Sequence, residues 1–272
     1  MLDTDSTTLP LLTDAASYRA CELDLRTDDA ARAYWIDLYR RHMPGALERA
    51  VAVDLADAQD EADARQRAQS CADAFESHLR ACERDHATVD RLDVHTLAKA
   101  RERILREHGF TDAFRLVKEQ ENDAALRLLP DVLAAHDGLT DPQRATEAAR
   151  GVFAGNIFDV GATATLELFE AGGLDFHSTL DKLKPRPWLV DDLDAWVDKV
   201  TTDRPYQHAL LFVDNAGCDI VLGMIPFARD LLNRGASVTL TANSRPALND
   251  ITHDELVALV ERITKMDDVI AD

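Results

Sequence analysis

Two short apolar runs with β-strand character, separated by a helix-period segment, constrain the fold of this chain more than any other feature. The runs are residues 209–213 and 237–242, and the segment between them covers residues 220–233 and is closed by Gly235. A strand, a helix and a second strand at this spacing predict a βαβ unit, in which the two strands are parallel. We therefore expect an α/β fold.

Polar side chains that carry oxygen atoms follow each of these runs. Asp214 and Asn215 come directly after the first run, Asn243 comes after the second, and Asp250 follows a few residues later. In parallel sheets ligands bind beyond the carboxyl ends of the strands, so we expect these side chains to meet at one edge. Carboxylate and amide oxygens suit a hard divalent cation that keeps positions open for water and a phosphate. The alternative is that these residue types are present only because they favour turns.

The remainder of the sequence predicts helices. Residues 46–108 are rich in Ala, Asp, Glu and Arg and contain neither proline nor glycine, which predicts a bundle of long helices. A helix that begins at Thr27 is expected to end at Pro44-Gly45. Residues 155–159 predict a break between helices. Further helices are expected over residues 113–136, 141–153 and 191–199.

The predicted sheet is unusually small. Two parallel strands seldom form a stable core alone, because parallel sheets normally bury both faces among several strands. After the second strand, Thr252 and Glu255 predict a capping box that starts a helix over residues 255–266, and the sequence ends soon afterwards. We therefore expect the sheet to be completed by a segment missing from this chain, by a second chain or by a homo-oligomer.

The charge of the chain narrows the kinds of partner. The 30 Lys and Arg residues and 50 Asp and Glu residues give a formal net charge of −20 over 272 residues. Such a surface disfavours nucleic acid and anionic lipid, and a phosphorylated substrate then needs a local cation. The alternative is that the charge only maintains solubility. Since we see neither a membrane-span-length apolar stretch nor a secretory signal, no membrane partner and a cytoplasmic location are expected.

Five blocks in order along the chain resemble the metal-dependent damage-control phosphatases, an ARMT-like family formerly described only as a domain of unknown function. They are most similar to the branch with the 4′-phosphopantetheine phosphatase domain. The blocks are residues 112–122, 154–159, 186–191, 212–223 and 242–253. The resemblance implies an N-terminal arm and helical domain, residues 1–185, followed by the start of a Rossmann-like parallel α/β domain, residues 186–272.

The resemblance also implies a function. Such a protein is expected to remove phosphate from small phosphorylated metabolites that are damaged or in surplus, such as 4′-phosphopantetheine-like compounds or sugar phosphates. It implies a divalent metal ion, Mn²⁺, Co²⁺, Ni²⁺ or Mg²⁺, bound by Asp214, Asn215 and Asp250. Because the metal would bind phosphate and activate a water, Asp214 and Asp250 are also expected to be catalytic.

Further site residues are expected within the matching blocks. Asn156 is expected to orient the substrate and Asp159 to act as an outer ligand or base, although both residues could simply cap a helix. The residues expected to bind substrate are Arg115, Lys118, Asn122 and Asn243. Arg115 and Lys118 lie one helical turn apart, and either cation is expected to contact phosphate. The alternative for this pair is a set of solvated ion pairs at helical spacing.

The sequence departs from the family pattern at two points. Ala216 stands where relatives often have serine, and this chain has neither the Glu-Gly-Met-Gly-Arg motif nor the further strands that follow in relatives. The main alternative function is therefore a truncated or split half that binds metal or a partner chain without turnover. A methyltransferase that uses S-adenosylmethionine ranks last, because no G-x-G loop follows a strand.

Overall fold

The computed structural model describes residues 23–157, 186–202 and 206–271, with Ile157 described by its backbone alone. Within these ranges the chain is mostly helical and carries one two-stranded parallel sheet, in agreement with an α/β fold. The chain divides into two compact units, Met1–Thr111 and Asp112–Asp272. The predicted boundary at residues 185–186 stays a prediction, because the residues just before it lie outside the described ranges.

From residue 23 onward the first unit contains three long helices, which confirms the predicted helical bundle. They are α1 (Asp29–Ala56), α2 (Glu61–Asp85) and α3 (Val94–Glu107). An aspartate precedes each helix, and its side chain accepts a hydrogen bond from an amide in the first turn; these residues are Asp28, Asp60 and Asp93. The largest fully buried side chains of this unit are Leu25, Ile36, Phe75, Leu79 and Leu97.

Helix α1 does not end at Pro44-Gly45, so that prediction is wrong. The helix continues through Pro44 to Ala56. A proline inside a helix removes one backbone hydrogen bond. The apolar face nevertheless continues across it, with Met43, Leu47 and Val51 all buried at helical spacing. Burial of this face therefore outweighs the lost hydrogen bond.

The second unit contains the predicted βαβ arrangement. Strand β1 (His208–Phe212) is parallel to β2 (Ser237–Thr241), and His208 pairs with Ser237 at the start of the register. A π-helix over Asp219–Met224 leads directly into the crossover helix. The helices in the described residues of this unit are α4 (Arg115–Asp137), α5 (Asp141–Ile157), α6 (Leu193–Val200), α7 (Ile225–Asn233), α8 (His253–Ile263) and α9 (Asp268–Ala271).

The π-helix lies in the core of this unit. Its Ile220, Val221 and Leu222 are at most 1 % exposed, and they belong to one hydrophobic cluster with residues of α4 and α8. Burial of each such side chain contributes about 1.5–3 kcal/mol. The start of the crossover connection is therefore fixed by packing. No described helix has the length and apolar character that a membrane span requires.

Helix α5 packs unusually closely against the π-helix because glycines lie at the contact. A Cβ atom on Gly155 would lie 2.8 Å from the Cα of Asp219, and one on Gly223 would lie 3.0 Å from the carbonyl oxygen of Gly151. The predicted break at residues 155–159 is wrong as far as residue 157, since Asn156 lies in the last turn of α5. Close packing therefore places this turn beside the start of the π-helix.

Candidate functional site

The chain turns sharply after β1. Asp214 and Asn215 follow the strand, and Gly217 has a φ of +75°, a left-handed conformation that favours glycine. A Cβ atom on Gly217 would also lie 2.8 Å from the Cβ of Glu121 on α4, so the loop and that helix are in close contact. The π-helix begins two residues later, which returns Asp219 toward the end of the strand.

Asp219 and Asp214 form an acidic pair at this turn. The Asp219 carboxyl is hydrogen-bonded to the carboxyl of Asp214 and to the side chain of Asn156. The backbone N–H of Asn215 donates to the Oδ1 of Asp214 at 2.9 Å. Asp219 is only 5 % exposed. Burial, together with the hydrogen bond to Asp214 and the charge of Asp214, raises the pKa of Asp219 to about 7. The protonated, neutral form of Asp219 is therefore stabilised relative to that of an exposed aspartate.

The loop after β2 is joined to the loop after β1 by backbone hydrogen bonds. The Ile251 N–H donates to the Asp214 carbonyl oxygen at 2.6 Å, and Asn215 forms an isolated antiparallel bridge with Asp250. The Asn243 side-chain amide donates to the Asp250 carboxylate at 2.6 Å. The polar residues at the ends of both strands therefore lie at one edge of the sheet.

Helix α4 contacts both loops through buried polar side chains. The Asn122 Oδ1 accepts a hydrogen bond from the Gly217 N–H at 2.7 Å. The Lys118 ammonium lies 2.8 Å from the Asp112 carboxylate and 2.7 Å from that of Glu255, and it donates to the Asp250 carbonyl oxygen at 3.3 Å. Lys118 is 1 % exposed. Helix α4 therefore binds both loops of the candidate site through buried side chains.

Comparison of the sequence with protein-family models identifies the domain that contains this site. The model of the damage-control phosphatase ARMT1-like domain matches residues 38–272. The chain belongs to this family. The resemblance that the five sequence blocks predicted is thereby confirmed.

Several curated relatives of this damage-control phosphatase domain are similar over most of the chain. Pantothenate kinase 2 of Arabidopsis thaliana is 38 % identical over 268 residues, which are 96 % of this chain and 29 % of that protein. The 4′-phosphopantetheine phosphatase of Mus musculus is 37 % identical over 263 residues, 96 % of this chain and 32 % of that protein. Damage-control phosphatase At2g17340 of Arabidopsis thaliana is 37 % identical over 260 residues, 91 % of this chain and 68 % of that protein.

The chain therefore spans about a third or less of the first two relatives, at 29 % and 32 %, and about two thirds of the third, at 68 %. Shared ancestry of the domain is shown by these matches. The activities of the longer proteins are properties of those proteins.

The structure brings together most of the residues predicted for the damage-control phosphatase site. Asn156, Asp214 and Asn215 surround Asp219, while Asn243 contacts Asp250. These contacts join residues from three separate blocks of the sequence. Their roles in binding and catalysis stay predictions.

Three other predicted residues have different surroundings. Lys118 and Asn122 are buried and bound to the loops, as described above. Arg115 is half-buried, and its guanidinium lies 3.3 Å from the carboxylate of Glu119 on the same helix. Asp159 lies outside the described residues.

Sequence reasoning missed Asp219 and placed Glu121 on the helix face near the substrate without a specific role. Asp219 was not predicted, because an acidic residue at a helix start usually reflects only the helix dipole. Its place five residues after Asp214, within the same matching block, was an available signal. Glu121 is 6 % exposed, and its Oε2 lies where it would contact a Cβ on Gly217 at 3.2 Å. Its burial depends on the fit of α4 against a distant loop, which no local pattern indicates.

The donor set fits a hard divalent cation, provided that amide oxygens take part. Among the described residues, no three His, Cys, Asp or Glu side chains have the spacing of a metal site. The carboxyls of Asp214 and Asp219 lie together, however, and Asn215 adds an amide within the same turn. Two adjacent carboxyls, one of them with a raised pKa, form a centre of negative charge that a cation would neutralise. Oxygen donors of this kind suit Mg²⁺ or Mn²⁺.

Proposed function

We propose that this chain is a metal-dependent phosphomonoester hydrolase that acts on small phosphorylated metabolites. The observation that carries the proposal is the acidic pair of Asp214 and Asp219, joined to the Asp250 loop at the carboxyl edge of the sheet. Phosphate is itself an anion, so a site this acidic binds it only together with a cation. The names of the relatives, a 4′-phosphopantetheine phosphatase and a damage-control phosphatase, support 4′-phosphopantetheine-like compounds or sugar phosphates as substrates.

Asp214, Asn215 and Asp250 would hold the cation, which we propose is Mn²⁺, Co²⁺, Ni²⁺ or Mg²⁺. When bound, such an ion neutralises phosphate charge and lowers the pKa of a coordinated water. The remaining residues orient these groups. Asn156 binds the Asp219 carboxyl beside Asp214. The Asn215 N–H donates to the Asp214 carboxylate at 2.9 Å and fixes its orientation.

Arg245 is our candidate for a phosphate-binding cation. It is the only Lys or Arg in the two strand-end loops, residues 213–218 and 243–252, and it is exposed. A guanidinium suits phosphate because its donors match two phosphate oxygens at once. Arg115 keeps its proposed role near the substrate, whereas Lys118 is already bound to protein groups.

We extend the proposal to the surroundings of the site. The two strands would belong to a Rossmann-like sheet completed by a second chain or by a homo-oligomer. The exposure of Leu210 (57 %) and Phe212 (73 %) on one face of β1 supports a further apolar partner there. A cytoplasmic location, without nucleic-acid or membrane partners, is part of the same proposal.

The test is a phosphatase assay of the full chain. 4-Nitrophenyl phosphate and 4′-phosphopantetheine are incubated with Mn²⁺ or Co²⁺, using the wild type, Asp214→Ala and the exposed control Asp131→Ala. We expect metal-dependent phosphate release in the wild type and the control, and at least a hundredfold loss in Asp214→Ala. A folded wild type that binds Mn²⁺ without turnover would instead support the non-catalytic alternative.

A further inference from the structure

Two buried side chains of α4, one turn apart, reach the two loops that carry the proposed metal ligands. Asn122 accepts a hydrogen bond from Gly217 in the loop after β1, and Lys118 donates to the carbonyl of Asp250 in the loop after β2. We infer that Lys118 and Asn122 are positioning residues that set the separation of the two loops and thereby the metal affinity of the site. This inference rests on the proposed function. Lys118 and Asn122 with these contacts are called the α4 brace below.

The contacts of Lys118 favour positioning over direct contact with phosphate. An ammonium group has three N–H donors. Three protein groups surround it: the carboxylates of Asp112 and Glu255, at 2.8 and 2.7 Å, and the Asp250 carbonyl oxygen at 3.3 Å. At 1 % exposure the side chain is closed to solvent. A phosphate could reach this ammonium only by displacing one of these three groups, which would leave that group without its cation.

The contacts of Lys118 converge on the corner where the β2 loop enters α8. Its partner Glu255 accepts hydrogen bonds from the backbone N–H and the hydroxyl of Thr252, at 2.7 and 2.8 Å. Asp250 lies two residues before Thr252, and the N–H of Ile251 between them donates to Asp214. Loss of the ammonium would therefore release both the Asp250 carbonyl and the helix cap. The Asp250 carboxylate would lose its fixed position relative to Asp214.

Asn122 acts in the same way on the other loop. Its Oδ1 accepts from the Gly217 N–H at 2.7 Å, in a contact that is fully buried. Gly217 has a left-handed φ of +75°, so its N–H direction is set by a turn that few residues adopt. Without an acceptor, that buried N–H would be left without a hydrogen-bond partner, which is unfavourable. The turn that presents Asp214 and Asn215 would then shift.

The direct test measures Mn²⁺ affinity rather than activity. Full-length Lys118→Met and Asn122→Leu are titrated with Mn²⁺, and the free ion is followed by electron paramagnetic resonance. We expect each variant to weaken Mn²⁺ binding by about 10- to 100-fold, which is typical when a group that orients a metal ligand is removed. The matched controls Lys265→Met and Asn233→Leu change exposed residues and should keep the wild-type affinity.

Kinetics separate positioning from phosphate binding. If the α4 brace acts through the metal ligands, saturating Mn²⁺ should largely restore kcat of Lys118→Met, with KM for 4-nitrophenyl phosphate close to the wild-type value. In addition, Lys118→Met should weaken Mn²⁺ binding little further when Asp250 is already alanine, because coupled residues are not additive. A phosphate-binding Lys118 would show wild-type Mn²⁺ affinity and a raised KM at saturating metal.

Stability is controlled separately, because Lys118→Met leaves the partly buried carboxylates of Asp112 and Glu255 without their cation. The combination Lys118→Met, Asp112→Asn, Glu255→Gln removes those charges, and circular dichroism checks that each variant is folded. Wild-type Mn²⁺ affinity in folded Asn122→Leu and in this triple variant would overturn the α4 brace alone. Absence of Mn²⁺ binding by the wild type would overturn the proposed function, and the brace with it.

Discussion

Asp219 is held in an environment that stabilises its neutral form. It is buried against Asp214, which raises its pKa to about 7. Above neutral pH the metal-free protein must therefore keep an ionised carboxyl where its charge is unfavourable. Such residues are common at functional sites, and the protein is then less stable than it would be with an uncharged residue at the same position.

Replacing this carboxyl with an amide should improve stability and impair binding. We expect Asp219→Asn to raise the free energy of unfolding by about 1–3 kcal/mol at pH 8 in the presence of a chelator, because the like-charge contact is lost. The same change should weaken Mn²⁺ binding at least tenfold. Urea unfolding and Mn²⁺ titration measure the two effects. Unchanged values in both experiments would show that Asp219 contributes nothing to the charge of the site.

Arg245 gives a second prediction at the scale of one residue. Arg245→Gln should raise KM for phosphomonoesters about tenfold and change kcat less, since a charge-assisted contact to phosphate is worth about 1.5–3 kcal/mol. Steady-state kinetics at saturating Mn²⁺ measure this. The control is Arg262→Gln, which removes an exposed ion pair (2.7 Å) between Arg262 on α8 and Asp123 on α4. Equal KM values for Arg245→Gln and the control would exclude the role.

The contact between α5 and the π-helix depends on residues without side chains. We expect Gly155→Ala to lower the free energy of unfolding by about 1–3 kcal/mol, because its Cβ would lie 2.8 Å from the backbone of Asp219, which cannot move aside as a flexible side chain can. It should also weaken Mn²⁺ binding, since Asn156 would shift away from Asp219. Urea denaturation and Mn²⁺ titration check both effects.

Gly138→Ala is the matched control for this substitution. Gly138 ends α4 with a φ of −78°, and its added Cβ would meet the Ala135 carbonyl oxygen at an ordinary 3.6 Å. This alanine should leave stability unchanged or slightly raised. If both alanine variants were equally stable, close packing at Gly155 would not be what places Asn156.

Helices and strands could be predicted from the sequence where one local sequence pattern dominates. The alternation of a strand run, a helix period and a second strand run predicted the parallel pair, and Thr252 with Glu255 predicted the cap of α8. The prediction that α1 ends at Pro44 was wrong, because the hydrogen bond lost at a proline costs less free energy than burial of the continuous apolar face contributes. The π-helix could not be predicted, since its wider turns depend on packing against α4 and α5.

At the scale of the whole molecule, the predicted site residues divide into two groups. The ends of parallel strands share one edge by topology, so the proximity of Asn215 and Asp250 followed from the sequence alone. The environment of Lys118 could not be predicted from the sequence. Its partners Asp112 and Glu255 are 143 residues apart in the sequence and come together only in the folded protein. A lysine on a helix has the same local pattern whether it contacts phosphate or a buried carboxylate.

Two buried groups of the second unit should make its stability respond to pH in opposite ways. Burial lowers the pKa of His136 below its value of 6.5 in the unfolded chain, so the unfolded chain binds the proton more tightly. The folded state therefore loses stability relative to the unfolded state as the pH falls below 6.5, and above that pH it keeps its full stability. Asp219 has a folded pKa of about 7, above its unfolded value of 3.8, so the native state gains stability as the pH falls through 7. Between pH 7.5 and 5.5 the two effects therefore oppose each other.

Replacing either Asp219 or His136 should reveal the effect of the other residue on the pH dependence of stability. In chelator, we expect the unfolding free energy of Asp219→Asn to fall between pH 7.5 and 5.5, and that of His136→Gln to rise by about 1–2 kcal/mol. The wild type should change less than His136→Gln, because the two effects oppose each other. Hydrogen exchange at the core amides of Ile220, Val221 and Leu222 reports on this unit alone, after correction for the intrinsic pH dependence. If both variants followed the wild-type profile, neither group would titrate in this window, and the unfavourable charge at the candidate site would have to come from elsewhere.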